Sequence, residues 1–92
     1  MIRNNDTLSF DCGIATSRIT AWLEDELALK HYADAWLFTA EDACCRITAE
    51  PLVSRDLGHF ELERTLLTAE GDEEAVTAFR WLFTLRFMSA GG

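Results

Sequence analysis

Residues 69–92, AEGDEEAVTAFRWLFTLRFMSAGG, decide the fold, because they hold the signals that start a long final helix and the apolar pattern that places it. Gly71 stops the preceding element and Asp72 stands as N-cap, with Glu73 and Glu74 in the first turn. Carboxylates there meet unpaired N–H groups and the positive end of the helix dipole, each contributing ~0.3–1 kcal/mol. Val76, Phe79, Phe83 and Phe87 then form one apolar stripe, while Ala78, Trp81, Leu85 and Met88 form a second, with Leu82 between them. A helix lying on a sheet normally shows one stripe a little over ~100° wide, so the second must be covered. The expectation is that Trp81 and Leu85 wedge against Trp22 of an earlier helix. A homodimer or a foreign protein is the other way to cover them.

Upstream of this helix, Gly58 to Thr68 alternates with Phe60, Leu62 and Leu66 on one side and Glu61, Glu63 and Thr65 on the other, Arg64 interrupting the apolar side. Before that, DAWLFTAEDACCRITAEP reads as two strands turning at Glu41-Asp42, with Cys45, Ile47 and Ala49 on one face and Pro51 ending the ladder. Ile19, Trp22, Leu23 and Leu27 recur at helical spacing after a cap at Thr16 or Ser17 and predict a helix to about Lys30. Leu8, Phe10 and Cys12 alternate with polar residues and predict a first strand closed by Gly13. The expected order is β-α-β-β-β-α: an α+β fold, with a four-stranded, mostly antiparallel sheet carrying two helices on one face. Residues 1–92 make one domain, since a chain this short supports a single core.

Sixteen acidic residues against eight Lys and Arg leave a net charge of −8, which disfavours direct binding to duplex nucleic acid and attracts basic partners. No window reaches the ~20 apolar residues of a membrane span, and the polar start Ile2-Arg3-Asn4-Asn5-Asp6 lacks the apolar stretch of a secretory signal. Three cysteines without C-x-x-C spacing point away from a disulfide framework. Together these predict a cytoplasmic protein.

Catalytic patterning is weak. Cys44 and Cys45 are strand neighbours whose side chains point to opposite faces, so they cannot share one metal. His31, read at the end of the first helix, complements the dipole there, and His59 lies in no pattern that orients it as a base. Glu61 and Glu63 share a strand face without a pocket. The expectation is a non-enzymatic protein without cofactor or metal.

Three resemblances bear on function. Gly91-Gly92 is similar to the tail of β-grasp sulfur carriers, although here it follows a helix, where glycine is the usual terminator. The succession helix, three strands, helix from Thr16 onward resembles the double-stranded RNA-binding domain, but Asp72-Glu73-Glu74 stand where that family carries its phosphate-gripping bases. In size, acidity and compactness the chain resembles small phage-encoded inhibitors of the anti-CRISPR type, a resemblance of character that assigns no residue. It implies a stoichiometric inhibitor that occupies Cas subunits of a crRNA-guided surveillance complex and keeps target DNA out. Independently of that resemblance, the acid clusters and the aromatic patch make a basic protein surface the expected partner, met by Glu24, Asp25, Glu61, Glu63, Asp72, Glu73 and Glu74 together with Trp81 and Leu85. The alternatives are a bacterial accessory protein that dimerises through its last helix, and the sulfur carrier.

Overall fold

The computed structural model describes the backbone of residues 4–56 and 61–88 and the side chains of residues 4–52 and 63–88. Along the chain run β1 (Asn5–Cys12), α1 (Thr16–Ala21), a π-helical turn (Trp22–Glu26), β2 (Lys30–Tyr32), β3 (Ala35–Ala40), β4 (Ala43–Asp56), β5 (Glu61–Asp72) and α2 (Glu73–Phe87). The strands form one sheet in the order β1-β5-β4-β3-β2, with every neighbouring pair antiparallel. The α+β class agrees with the sequence reading. The four-stranded sheet and the order β-α-β-β-β-α do not: the sheet has five strands, and four of them separate the two α-helices, which also breaks the RNA-binding-domain order.

The additional strand exists because the first helix ends early. At Trp22 the hydrogen bonding widens, Leu27 N–H donating to the Trp22 carbonyl five residues back at 2.9 Å, and Leu29 N–H then reaches the Leu23 carbonyl. Ala28 takes a left-handed φ of 52° and the chain leaves the helix. Lys30–Tyr32 is thereby free to pair with Ala35–Leu37. His31 belongs to this strand, not to a helix end, and its ring stacks on Trp36 with centroids 4.4 Å apart. Both hairpins at this side of the sheet turn on two residues, Ala33-Asp34 and Glu41-Asp42, the second as expected, and Ala33 and Glu41 adopt positive φ of 54° and 58°.

Both helices cover one face of the sheet. That face presents Trp36 and Phe38 of β3, Cys45 and Ile47 of β4, and Leu67 and Ala69 of β5, all buried, with Leu8 and Phe10 of β1 packed beside them. Ile19, Leu23, Val76, Phe79 and Phe83 close over them. Trp22 sits between the helices, 5.6 Å from Phe79, 5.9 Å from Phe83 and 5.3 Å from Phe87, centroid to centroid. Each such large side chain contributes about 1.5–3 kcal/mol by leaving water.

The face assignment of β5 is the reverse of the sequence reading. Thr65, Leu67 and Ala69 point inward, and Leu66 and Arg64 point to the open face. Register decides this: Phe10 pairs with Leu67, and both Leu8 and Ile47 pair with Ala69, so slipping β5 by one residue would turn every core side chain to solvent. Arg64 therefore meets Asp11 across the open face, its Nε donating to Asp11 Oδ1 at 3.1 Å and its Nη2 to Oδ2. This hydrogen-bonded guanidinium holds the Asp11 carboxyl below the usual carboxylate range. Inward-facing Thr65 is satisfied: its hydroxyl donates to the Ile14 carbonyl at 2.6 Å and accepts from Thr16 at 2.7 Å. Thr16 is thus the first helical residue bracing the sheet, and the N-cap position falls to Ala15.

Pro51 does not end β4, which continues to Asp56 paired with β5. Since β3 pairs with β4 only as far as Ile47, Pro51 has a strand neighbour on one side, the setting in which a missing N–H is tolerated. Between Leu52 and Arg55 two residues of β4 face one of β5, a β-bulge.

No loop separates β5 from α2. Asp72 is the last strand residue and the N-cap, yet its side chain makes no capping bond; its Oδ2 accepts from Cys44 N–H at 2.9 Å and ties the helix start to β4. Glu73 N–H donates to the Asn4 carbonyl at 2.8 Å. Gly71 makes this junction possible. Its φ is 150°, and a Cβ there would stand 2.7 Å from the Cys44 carbonyl oxygen and from Cys45 Cα, both backbone atoms. Gly71→Ala is therefore expected to lower stability by about 1–3 kcal/mol in urea unfolding, whereas Ala33→Gly, which relieves a left-handed alanine, leaves stability unchanged or raises it by up to about 1 kcal/mol.

Candidate protein interface

The register brings several acids together at one end of the sheet. Asn5 pairs with Asp72 and Asp6 with Gly71, and the Cys44 bond to Asp72 places the Glu41-Asp42 turn beside the β5–α2 junction. Asp6, Glu41, Asp42, Asp72, Glu73 and Glu74 thus share one acidic pole. Of these, Asp6, Glu41, Asp42, Glu73 and Glu74 are exposed and Asp72 is half-buried. Three of the described bases already face a carboxylate away from this group: Arg46 bonds Asp34 at 3.0 Å, Arg64 bonds Asp11, and Arg86 reaches Glu26 at 3.3 Å. These three pairs lie away from the pole, where six carboxylates are gathered.

The other sequence-predicted site residues lie elsewhere. Glu24 and Asp25 are exposed on the π-helical turn, next to Glu26, whose bond to Arg86 puts them at the far end of α2. Fifteen helical residues separate that end from the pole by about 22 Å. Glu63 is exposed on β5 about 30 Å along the strand from Asp72. Glu61 pairs with Asp56 in the backbone, and its side chain lies outside the described residues, as do His59 and the Gly91-Gly92 tail. The nine expected residues accordingly divide among several places: Asp72, Glu73 and Glu74 come together at the pole, Trp81 borders Glu73 and Glu74, and Glu24 with Asp25 sit at the far end of α2. Asp6, which joins them, carried no signal of its own; only the β1–β5 register makes it a neighbour.

Trp81 and Leu85 do not wedge against Trp22. The Phe79, Phe83 and Phe87 edge of α2 fills that space, and Trp81 is 63% exposed, Leu85 52% and Met88 59%. The reason is angular. Trp22 meets the phenylalanine stripe, which must face the sheet to be buried, and Trp81 lies about half a helical circumference from Phe79 and Phe83. Beside Trp81 the surface dips into a shallow recess lined by Glu73, Glu74, Thr77 and Ala78.

The cysteines occupy distinct environments. Cys44 is exposed on the open face, Cys45 is buried under α2, and Cys12 is half-buried with its Sγ donating to the Thr65 carbonyl at 3.4 Å. Burial pushes the Cys45 thiol up to about 12 and raises Cys12 as well, so both stay protonated near neutral pH. Among the described residues no group of His, Cys, Asp and Glu is arranged to hold a metal ion, and no helix is long and apolar enough to cross a membrane.

Comparison of the chain with protein-family models, with curated proteins and with solved structures gives no match. The thiol environments make a direct check of the site geometry. In native protein near neutral pH a thiol reagent should modify Cys44 rapidly and Cys45 only on unfolding. Cys44→Ser should remove the rapid phase; a rapid phase persisting in that variant would place a second thiol at the surface.

Proposed function

We propose that the protein acts by contact, as an acidic, non-enzymatic binding module whose pole docks on a basic protein surface in the cytoplasm. The convergence of Asp6, the Glu41-Asp42 turn and the Asp72-Glu73-Glu74 helix start at one end supports this reading most directly. Side chains so arrayed offer carboxylate oxygens to the Lys and Arg that otherwise hold phosphates, and they do so from strand ends and a helix start held by backbone hydrogen bonds, so little side-chain scaffold must be ordered on binding. The best-fitting partner chemistry is a nucleic-acid-binding groove, because such grooves gather bases along one track. The resemblance to anti-CRISPR inhibitors supplies a concrete candidate: Cas subunits of a crRNA-guided surveillance complex, whose target DNA would be excluded by a stoichiometric occupant.

Target-DNA binding by a purified surveillance complex of this kind, measured with increasing amounts of the protein, tests the reading. Loss of DNA binding near equimolar protein is expected, weakening as salt screens the charges. Glu41→Lys with Asp42→Lys should weaken inhibition at least about tenfold, against a smaller effect of Glu24→Lys with Asp25→Lys at the far end. Undiminished DNA binding at excess protein rules out that complex as the partner. Inhibition that survives reversal at the pole removes the electrostatic mechanism.

A further inference from the structure

We propose that the outer face of α2 is the contact surface of a homodimer, in which a second copy lies antiparallel across Trp81. The face carries Ala78, Trp81, Leu85 and Met88 at intervals of three, four and three residues, the spacing of a helix–helix seam, with Leu82 at its side. Trp81, Leu85 and Met88 are each more than half exposed, while Phe79 and Phe83 on the opposite side of the helix are fully buried. The sheet is therefore already satisfied by one stripe, and the other is available.

A second copy fits because the two halves of the stripe are complementary in shape. The N-terminal half is the recess lined by Glu73, Glu74, Thr77, Ala78 and Trp81. The C-terminal half bears the large exposed side chains Leu85 and Met88. Trp81 stands seven residues from Glu74 and seven from Met88. A two-fold axis through Trp81 seats Leu85 and Met88 of each copy in the recess of the other, the self-complementary contact that a closed dimer requires.

Charge selects the same orientation. The first turn of α2 carries Glu73 and Glu74, whereas the charged residues of the remainder are Arg80 and Arg86. Parallel copies would set the two acidic starts side by side, whereas antiparallel copies hold them most of a helix length apart; because Arg86 is already paired with Glu26, next to Glu24 and Asp25, the preference comes from separating like charges and not from a new ion pair. The area matches a reversible contact. Trp81, Leu82, Leu85 and Met88 expose roughly 400 Å² of largely apolar surface per chain, so two copies covering them would bury about 800 Å² or somewhat more, the size of a weak, reversible interface.

Sedimentation equilibrium of the full chain over a wide concentration range tests the proposal. The expected result is a reversible dimer, with Trp81→Ser raising the dissociation constant at least about tenfold while far-UV circular dichroism stays unchanged. Orientation is read in a Cys44→Ser background by mixing Thr77→Cys chains with Leu85→Cys chains under mild oxidation. Mixed disulfides between the two are expected. A monomer at every concentration overturns the dimer and leaves the stripe to a foreign partner. A dimer unaffected by Trp81→Ser overturns the interface, and preferential Thr77→Cys self-pairing overturns the antiparallel arrangement.

Discussion

The structure hinges on the uninterrupted passage from β5 into α2. Gly71 lies so close to the β4 backbone that a Cβ would stand 2.7 Å from it, Asp72 binds the Cys44 amide, and Glu73 donates to the Asn4 carbonyl. With no loop to absorb rotation, the phase of the helix follows from the strand that precedes it. Phe79 and Phe83 must then face the sheet, and Trp81 and Leu85 must face away. The same junction draws the Glu41-Asp42 turn and Asp6 toward the first turn of α2, so one local constraint sets both the exposed apolar stripe and the acidic pole.

Much of this was legible because it rests on period and turn chemistry. The alternation of Leu8, Phe10 and Cys12, the inward set Cys45 and Ile47, the Glu41-Asp42 turn and the start of α2 at Asp72 are all local signals. What was not legible depends on long-range pairing or on unusual backbone. Strand β2 is three residues long and turns through Ala33 at positive φ, where no Gly or Asn advertises the turn. The π-helical bonding after Trp22 preserves an apolar spacing that reads as continuous helix. In β5 the adjacent Leu66 and Leu67 make either face plausible, and only pairing with β1 and β4 chooses Leu67. The same limitation hid the site: Asp6 and Asp72 are far apart in sequence, and their proximity is a property of register.

On the binding role and the dimer proposed above, the two surfaces would divide the work. Carboxylates at the pole supply long-range attraction, which governs encounter and weakens with salt. The apolar stripe supplies short-range burial, which governs residence. Because Glu73 and Glu74 belong to the pole and also border the recess beside Trp81, the proposed self-association and the proposed docking on a basic partner would meet at the start of α2.

α2 is oriented with its phenylalanine stripe in and its tryptophan stripe out. The most direct measurement is equilibrium unfolding of Phe83→Ala beside Trp81→Ala, at a concentration low enough for the monomer alone. Phe83→Ala should lose about 3–5 kcal/mol, the cost of emptying a filled core site, and Trp81→Ala should change stability by no more than about 0.5 kcal/mol, as for an exposed residue. Equal losses, or a larger loss at Trp81, would mean that the helix is rotated and that neither surface lies where this fold puts it.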